Sequence, residues 1–422
     1  MTHAPAGIDR RACAALDAAD PLASFRSRFD LPEGVVYLDG NSLGALPRDT
    51  PAFVQHVMRE EWGVGLIRSW NDAGWFAKPT DLGDRLAPII GAAPGETVIA
   101  ESTSTSLFQA AAAAARLRPK RRVIVAERGN FPTDLYMLES VQELMGGGTA
   151  LERRLIADDG PTLADVLDED VAVVVLTHVD YRTGRMHDMA EVTRQVHEAG
   201  AVVVWDLCHS VGAVPVDLNA AGADLAVGCT YKYLNGGPGS PSFIWVAERH
   251  QAAVRPPLTG WHGHAKPFDF TVDYAPAPGI TRFRIGTPQL LSAAGLEASL
   301  RMWAEVDMAR IRKKSLALTD LFIDLVDTRL ADRFGAEVVT PREHHRRGSQ
   351  VSLRVDGGYP IMQALIERGV IGDFRAPDLI RFGFTPLYTS FTDVWDAVVR
   401  LEDILTTGVW REAHFERRGE VT

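Results

Sequence analysis

The sequence predicts an α/β fold: a large domain with a doubly wound, mostly parallel sheet, and a smaller C-terminal α/β domain. Between about residues 95 and 250, short apolar runs rich in β-branched residues alternate with segments of helical periodicity. Such near-continuous apolar runs are typical of parallel strands that helices cover on both faces. A length of 422 residues exceeds a single core. We therefore predict an N-terminal segment (1–50), a large domain (51–290) and a small domain (291–422).

Strand and helix signals alternate along the large domain. The strand segments are rich in valine, and the weakest of them is interrupted by Asp224. The helical segments space their apolar residues by three or four, and Gly200 is well placed to end the last of them. We predict strands over 121–126, 171–176, 201–205 and 223–227, and helices over 107–117, 135–145 and 189–198.

The pattern changes after Pro288. We predict a long helix over 290–328, strands over 338–340, 350–355 and 380–384, and helices over 359–368 and 392–405. The first 50 residues carry proline, glycine and turn signals and are expected to pack against this small domain. The basic cluster Arg342, His344, His345, Arg346 and Arg347 is interpreted as a solvated turn. An anion or metal site is the alternative, but histidines in zinc sites usually have cysteine or carboxylate companions.

The composition excludes several classes of function. A net charge of −11, with acidic and basic residues interspersed, leaves no basic footprint for nucleic acid. No uncharged apolar stretch reaches the roughly 18 residues of a membrane span, and no signal peptide is recognisable. Three cysteines without CxxC spacing fit a reducing compartment. We expect a cytoplasmic protein with no metal site and no membrane contact.

A lysine and an aspartate that each follow a predicted strand are the most informative residues. Asp206 directly follows the strand 201–205, and Lys232 lies in a glycine-rich loop after the strand 223–227. In pyridoxal phosphate (PLP) enzymes a lysine amine forms a Schiff base with the cofactor, and a carboxylate pairs with the protonated ring nitrogen. Most lysines are merely solvated, but this one has a tyrosine on either side and glycines that permit close backbone approach. We therefore predict a PLP site.

Other polar residues follow strands at the same edge of the sheet. The Ser/Thr run 102–106 opens an alanine-rich helix and suits phosphate binding, while a plain helix N-cap is the alternative. Phe131 either stacks on the pyridine ring or packs as a plug. His178 and His209 are more often structural hydrogen-bonding groups than acid–base groups in such positions.

One arginine, Arg381, lies within an otherwise apolar strand of the small domain. A buried guanidinium needs a partner. The sequence leaves two interpretations open: an internal salt bridge, or a two-pronged clamp on a substrate carboxylate, which a PLP enzyme acting on amino acids requires.

Six segments together resemble the kynureninase family, in order along the chain from about residue 15 to the end. They are VYLDGNSLG (36–44), NFPTD (130–134), WDLCHS (205–210), CTYKYLNGG (229–237), GWHGH (260–264) and RFGFTPLY (381–388). The resemblance implies a fold type I, aspartate aminotransferase-like PLP enzyme. It implies hydrolysis of L-kynurenine to anthranilate and L-alanine in tryptophan degradation, by a homodimer whose active site lies at the subunit interface.

The resemblance also implies roles for individual residues. Lys232 would carry the cofactor, Asp206 would pair with its ring nitrogen, and Tyr231 would reach the phosphate and assist proton transfer. Thr103 and Ser104 would contact the phosphate, although this run aligns equally well one residue either way. The remaining implied positions are Phe131 stacked on the ring, Asp134, Thr177 and His209 lining the cofactor, Trp261 and Thr287 reaching it from the neighbouring subunit, and Arg381, Asn41 and Trp62 at the substrate.

The same resemblance bears on substrate preference. Animal members that favour 3-hydroxykynurenine place a histidine and an asparagine near the substrate ring. Here the histidine position falls at Trp62 or Gly63, and the asparagine position at Thr287. We therefore expect unsubstituted L-kynurenine to be preferred.

Two other classes of protein share this fold. A cysteine desulfurase needs a thiolate on a mobile loop of the small domain, but the last cysteine here is Cys229. A non-catalytic PLP-fold sensor could lose its lysine or carry a DNA-binding module. This chain keeps Lys232 and has no helix-turn-helix extension, so both alternatives are disfavoured.

Overall fold

The computed structural model describes residues 8–145 and 151–419. Its larger sheet has seven strands, which lie side by side in the order β1-β7-β6-β5-β4-β2-β3. The strand β7 runs antiparallel to both of its neighbours, and the pairs among β2 to β6 are parallel. The strands are β1 (Thr97–Ala100), β2 (Val123–Glu127), β3 (Glu152–Ile156), β4 (Val171–Thr177), β5 (Val202–Asp206), β6 (Leu225–Gly228) and β7 (Ser242–Val246).

The helices pack on both faces of this sheet and around the small domain. The α-helices of seven residues or more are α1 (Arg10–Ala18), α2 (Thr50–His56), α3 (Lys78–Leu86), α4 (Thr103–Arg116), α5 (Pro132–Met145), α6 (Met189–Glu198), α7 (Leu290–Trp303), α8 (Met308–Val326), α9 (Gly358–Glu367) and α10 (Phe391–Thr407), and a π-helix spans Val57–Gly65. Short α-helical turns occupy Ser69–Asp72, Leu163–Val166, Glu248–Gln251 and Asp332–Phe334.

The central strand β4 explains why the apolar runs are continuous. All seven of its residues are buried. Val173 and Val175 join a core with the alanines of α4, while Val174 and Leu176 join the core on the opposite face. Because side chains alternate across a strand, two buried faces demand an apolar residue at every position. The small alanine side chains let α4 lie close to the sheet.

The sequence suggested that Asp224 weakens the strand over 223–227. In the structure it does not interrupt the strand. The strand begins at Leu225, and Asp224 is 1% exposed just before it. Its carboxylate accepts hydrogen bonds from the Val203 backbone N–H at 2.8 Å and from His197 and His250 at 2.8 and 2.7 Å. Burial raises the pKa of Asp224, but these hydrogen bonds outweigh it and bring the pKa to about 2. The aspartate therefore ties β5, α6 and the segment after β7 together.

The predicted helix over 290–328 is two helices. The chain leaves the helical path after Trp303, and Asp307 caps the start of α8 by accepting from the Ala309 N–H at 2.8 Å. An aspartate at an N-cap satisfies a backbone N–H that would otherwise lack a partner. Most buried apolar residues of α7 join the hydrophobic core of the large domain, whereas most of those of α8 join the core that contains the small sheet.

The small sheet has four strands in the order β8-β9-β11-β10. They are β8 (Glu337–Val338), β9 (Gln350–Arg354), β10 (Asp373–Arg375) and β11 (Leu379–Gly383). The N-terminal segment contacts this part of the chain: Val36 pairs in parallel with Val370, and Asp17 accepts from the first backbone N–H groups of α10. The predicted domain bounds remain a prediction, and residues 1–7 and 420–422 lie outside the described residues.

The basic segment 342–347 is only partly a solvated turn. Arg342 and His344 are exposed and pair with Asp327 and Asp320. Arg347 is 1% exposed instead, and its guanidinium binds Thr319, Asp320 and the Arg342 carbonyl oxygen. Charge patterning does not reveal this burial, because the partners come from the distant helix α8. Across residues 8–145 and 151–419, no helix is long and apolar enough to cross a bilayer.

Candidate active site

A cavity of about 100 Å³ lies at the carboxyl edge of the large sheet. The loops that follow β2, β4, β5 and β6 meet there, as expected for ligand sites in parallel α/β sheets. Nine of the predicted site residues line it: Thr103, Ser104, Phe131, Asp134, Thr177, Asp206, His209, Tyr231 and Lys232. Three more lining residues, Thr133, Tyr181 and Cys208, were not predicted.

Lys232 and Asp206 face this cavity from neighbouring strand ends. The Lys232 Nζ lies 2.9 Å from His209 Nε2. Asp206 is 3% exposed, and its Oδ1 accepts from the Cys208 N–H at 2.8 Å. Burial raises the pKa of Asp206, while the Cys208 hydrogen bond and the Lys232 charge oppose that rise. The aspartate is thus a buried acceptor suited to a cationic partner.

A second carboxyl group in the cavity lacks a full set of partners. Asp134 is 3% exposed, and its Oδ2 has no hydrogen-bond partner among the described residues. Burial, and next the charge of Asp206, raise its pKa well above the usual range. Buried polar atoms are nearly always satisfied, so an orphaned oxygen here indicates a polar ligand.

The hydroxyl-rich run divides into a cap and a ligand-facing part. Ser102 is the N-cap of α4, and its side chain accepts from the Thr105 N–H. Thr103 and Ser104 are left in the first turn, where backbone N–H groups and the helix dipole favour a phosphate. These two residues and Tyr231 also line an adjoining cavity of about 660 Å³, with Ser42, Gln289 and Ser240 among its other walls.

The loop that carries Lys232 is closely packed. Gly44 donates its N–H to the Tyr231 carbonyl oxygen at 2.8 Å, and a Cβ at Gly44 would lie 2.2 Å from the Lys232 carbonyl oxygen. Only glycine therefore permits this approach of the N-terminal segment. Burial raises the pKa of Tyr231, which keeps its hydroxyl protonated.

Arg381 forms an internal salt bridge, one of the two interpretations that the sequence left open. It is 1% exposed, and its Nε and Nη2 bind both oxygens of Asp373. Nη2 also donates to Ser42 Oγ at 2.8 Å, and Nη1 donates to the Tyr181 carbonyl oxygen at 2.5 Å. Asn41 is buried beside it, and when its amide is oriented with the oxygen toward the guanidinium, that oxygen lies 2.9 Å from Arg381 Nε. Arg381 thus lies directly behind two wall residues: Tyr181, which lines the cavity of about 100 Å³, and Ser42, which lines the adjoining cavity of about 660 Å³.

Known proteins resemble this chain over nearly its whole length. A family model described as the kynureninase C-terminal domain matches residues 311–401. Kynureninase of Burkholderia pseudomallei is 57% identical over 417 residues, covering 98% of this chain and 99% of that protein. Kynureninase of Pseudomonas fluorescens is 53% identical over the same coverage.

The chain belongs to the kynureninase family. It is therefore a PLP-dependent hydrolase, and the predicted family and cofactor are confirmed. The fold type I prediction is confirmed as well. A cysteine desulfurase structure from Thermococcus onnurineus NA1 superposes with a TM-score of 0.76, at 21% identity, over 91% of this chain and 98% of that chain. At this identity the likeness concerns the fold alone.

The residues present fit the cofactor of the family. The cavity provides a lysine amine, a buried carboxylate for a ring nitrogen, an unsatisfied second carboxyl oxygen and a hydroxyl-lined helix terminus. Phe131 is 43% exposed and meets Tyr181 edge-on, with ring centroids 5.2 Å apart. Its stacking on the ring stays a prediction.

Five residues assigned from the family line neither cavity: Arg381 and Asn41 are buried behind the walls, and Trp261, Trp62 and Thr287 lie at the surface. Trp261 is 39% exposed and packs against Trp70, with ring centroids 5.7 Å apart. Trp62 is 53% exposed in the helical segment Val57–Gly65, and Thr287 is exposed before α7. The roles of Trp261, Trp62 and Thr287 at the site remain predictions, and those of Trp261 and Thr287 depend on a second subunit.

Sequence reasoning missed residues that reach the site through space. Tyr181 and Cys208 had a usable signal, since each lies in a loop between predicted site residues. Gln350, whose Oε1 lies 3.1 Å from His209 Nδ1, and Asp373 had none, because strand pairing alone brings Asp373 opposite Arg381. Within residues 8–145 and 151–419, no group of three or more His, Cys, Asp or Glu residues is placed to hold a metal ion.

Proposed function

We propose that the protein hydrolyses the Cβ–Cγ bond of L-kynurenine, producing anthranilate and L-alanine in tryptophan degradation. One observation carries the proposal: Lys232, Asp206, Tyr231 and six other residues that the family resemblance assigns to the site line one cavity. The identity to bacterial kynureninases over nearly the whole chain supports it.

When bound, PLP supplies an electron-withdrawing pyridinium ring that stabilises negative charge on substrate carbons. Asp206 holds the proton on the ring nitrogen, because a buried carboxylate gains most from a cationic partner. Thr103 and Ser104 bind the phosphate through their hydroxyl and backbone N–H groups. Asp134 offers its free Oδ2 to a polar group of the cofactor.

Lys232 and Tyr231 move the protons. The freed Lys232 amine removes the α-proton, and water then adds to the γ-carbonyl before the Cβ–Cγ bond breaks. Tyr231 delivers a proton to the departing β-carbon, since burial keeps its hydroxyl protonated. The hydroxyl of the added water stays on the anthranilate carboxyl group, so one water is consumed in each turnover.

Arg381 binds the substrate carboxylate. Asp373 and Ser42 hold the guanidinium plane. Nη1 carries two N–H groups, and among the described residues only one of them has an acceptor, the Tyr181 carbonyl oxygen. Ser42 and Tyr181 would shift as the carboxylate binds. A positioned guanidinium aligns the α-proton with the lysine, which converts binding energy into rate. Asn41 and Trp62 complete the substrate subsite.

We further propose a homodimer with the active site at the subunit interface. Apolar side chains of two segments are unusually exposed: Ile67 is 77%, Phe270 85% and Val272 102% exposed. Clustered exposed apolar residues mark protein interfaces. A neighbouring subunit bound there would bring Trp261, Thr287 and Trp62 toward the cavities described above.

The cytoplasm is the proposed location. Cys13, Cys208 and Cys229 are free thiols, all buried. Unpaired cysteines are usual where glutathione keeps thiols reduced.

Two rival functions are disfavoured by the site itself. A desulfurase nucleophile must be a thiolate, yet the hydrogen bond that Cys208 makes to Cys229, together with burial, raises the pKa of Cys208, the cysteine that lines the cavity. A non-catalytic sensor would have no need for Lys232 to point into a cavity with proton-transfer partners.

Turnover of the purified holoenzyme tests the proposal. We expect anthranilate and alanine in equal amounts from L-kynurenine, and no sulfide from L-cysteine. Lys232→Ala should reduce turnover by more than about a thousandfold, because both cofactor attachment and the α-proton acceptor are lost. Lys120→Ala, a change at an exposed lysine far from the cavity, serves as the control. Sulfide release, or substantial turnover by Lys232→Ala, would refute the assignment.

A further inference from the structure

Gln350 is a fully buried amide that joins the small sheet to the catalytic loops. It begins β9 and is 0% exposed. Its side chain reaches two elements of the large sheet, the loop after β4 and the turn after β5 that carries His209. It lines neither cavity, so it can act only through the residues that it touches.

The hydrogen bonds of Gln350 fix the orientation of its amide. Nε2 lies 3.2 Å from the Asp180 carbonyl oxygen and 2.9 Å from that of Tyr181. Backbone carbonyl oxygens only accept, so the NH₂ group must face them. The Oε1 atom then faces His209 Nδ1 at 3.1 Å and is the acceptor of that pair.

This orientation determines the tautomer of His209. Because Oε1 accepts, Nδ1 must carry the proton, and a neutral ring then presents a lone pair at Nε2. Burial, and next the charges of Lys232, Arg381 and Arg375, lower the pKa of His209 well below its usual value, so the ring is neutral. The Lys232 amine lies 2.9 Å from Nε2 and donates to that lone pair.

The Gln350 amide also shares a hydrogen-bond acceptor with Arg381. The Tyr181 carbonyl oxygen accepts from Gln350 Nε2 and from Arg381 Nη1, at 2.9 and 2.5 Å. A single buried side chain therefore restrains Lys232 through His209 and Arg381 through Tyr181.

We propose that Gln350 is a positioning residue that selects the Nδ1–H tautomer of His209. His209 Nε2 then accepts a hydrogen bond from the Lys232 amine and orients it. The proposal rests on the proposed function only in giving Lys232 its catalytic role. With the opposite tautomer, Nε2 would carry a hydrogen and could not accept a hydrogen bond from the Lys232 amine. Arrangements in which a neighbouring group fixes the tautomer and the direction of a histidine are common in active sites.

The tautomer is measured directly by ¹⁵N NMR of histidine-labelled protein, with and without PLP. The His209 signals are assigned by their loss in His209→Asn. In the wild-type protein without PLP we expect a protonated Nδ1 and an unprotonated Nε2. A protonated Nε2 would overturn the proposal whatever the enzymatic activity turns out to be.

Variants of Gln350 test the consequence. Gln350→Met keeps the volume but neither donates nor accepts, so we expect a mixture of His209 tautomers. In the holoenzyme, kcat for L-kynurenine should fall by about ten- to a hundredfold with a shifted pH profile. KM should change less than kcat, since Arg381 keeps Asp373 and Ser42.

Gln350→Glu places a carboxylate against His209 Nδ1 and should favour a doubly protonated ring. Gln363→Met, a change at a glutamine of α9 whose Nε2 has no partner among the described residues, is the matched control and should match the wild type. A Gln350→Met protein with one unchanged tautomer and wild-type kcat would refute the role. Melting temperatures of all variants separate this role from a loss of folding.

Discussion

Burial controls the charge of individual residues in the candidate site. Asp206 and Asp134 line the same cavity, and burial raises the pKa of each. His209 is driven the other way, toward the neutral form. A cavity with these groups favours a ligand that brings its own cationic centre and hydrogen-bond donors, as a protonated pyridine ring does.

Asp206→Asn should impair catalysis far more than folding. An amide cannot supply the charge that keeps a ring nitrogen protonated, so exchange of the substrate α-proton with deuterated solvent should slow by several orders of magnitude, about tenfold per 1.4 kcal/mol of barrier. Removing a buried charge should leave the melting temperature unchanged or raise it. Proton exchange near the wild-type rate would argue against the pairing.

Arg381→Lys separates the two roles of this arginine. Lysine keeps the charge but loses the planar fork that holds Asp373 and would orient a carboxylate. We expect KM for L-kynurenine to rise at least about tenfold and kcat to fall, since an ill-placed substrate reacts slowly. Steady-state kinetics and a melting curve suffice: a lower melting temperature with wild-type kinetics would mean that the ion pair is purely structural.

Among the secondary-structure elements, helix ends carry much of the polar organisation. Ser102 caps α4, which leaves Thr103 and Ser104 for a ligand. The start of α10 has both a capping box, from Ser390 and Asp393, and a carboxylate from elsewhere in the chain. Asp17 of α1 accepts from the Phe391 N–H at 2.6 Å and the Thr392 N–H at 3.1 Å. This contact fastens the N-terminal helix to the small domain.

Asp17→Ala should therefore destabilise the protein. Losing a carboxylate acceptor at a helix N-terminus costs about 1–2 kcal/mol, and the loss should appear as a lower urea midpoint. Asp17→Asn keeps an acceptor oxygen and should lose less than half as much. Kinetic constants should not change, because Asp17 lines neither cavity. Equal losses in the two variants would mean that packing of α1, not the cap, holds the helices together.

In the whole molecule, the candidate site lies where the large sheet, the small sheet and the N-terminal segment meet. Lys232 and Asp206 come from the large sheet, Arg381 and Gln350 from the small one, and Ser42 from the N-terminal segment. Motion of the small sheet relative to the large one would therefore alter the distance between the substrate clamp and the lysine. A second subunit is proposed to complete the site.

Unsubstituted L-kynurenine should be the preferred substrate of the assembled enzyme. Trp62 or Gly63, and Thr287, stand where members that favour the hydroxylated substrate carry a histidine and an asparagine. An unmatched ring hydroxyl in a closed site costs about 1–3 kcal/mol, or roughly ten- to a hundredfold in kcat/KM. Kinetics with both substrates decide the matter. A preference for 3-hydroxykynurenine would refute this interpretation of Trp62 and Thr287.

The sequence by itself determined which loops meet at the candidate site. Loops at the carboxyl ends of parallel strands converge, so Lys232, Asp206, Phe131 and Thr177 could be placed together from local apolar runs alone. The structure brings all four to one cavity. The position of α6 was likewise correct, since an amphipathic helix with a glycine after it is specified locally.

Only the tertiary structure decided the partners of buried polar groups. Asp373 meets Arg381 through the register of β10 and β11, Gln350 meets His209 across two sheets, and Arg347 is buried against α8. The break at Asp307 likewise separates two helices whose apolar residues join different hydrophobic cores. These contacts join residues far apart in sequence, and a polar side chain has no periodic pattern that names its partner. Buried donors and acceptors are paired only when the packed backbone brings them within hydrogen-bond distance.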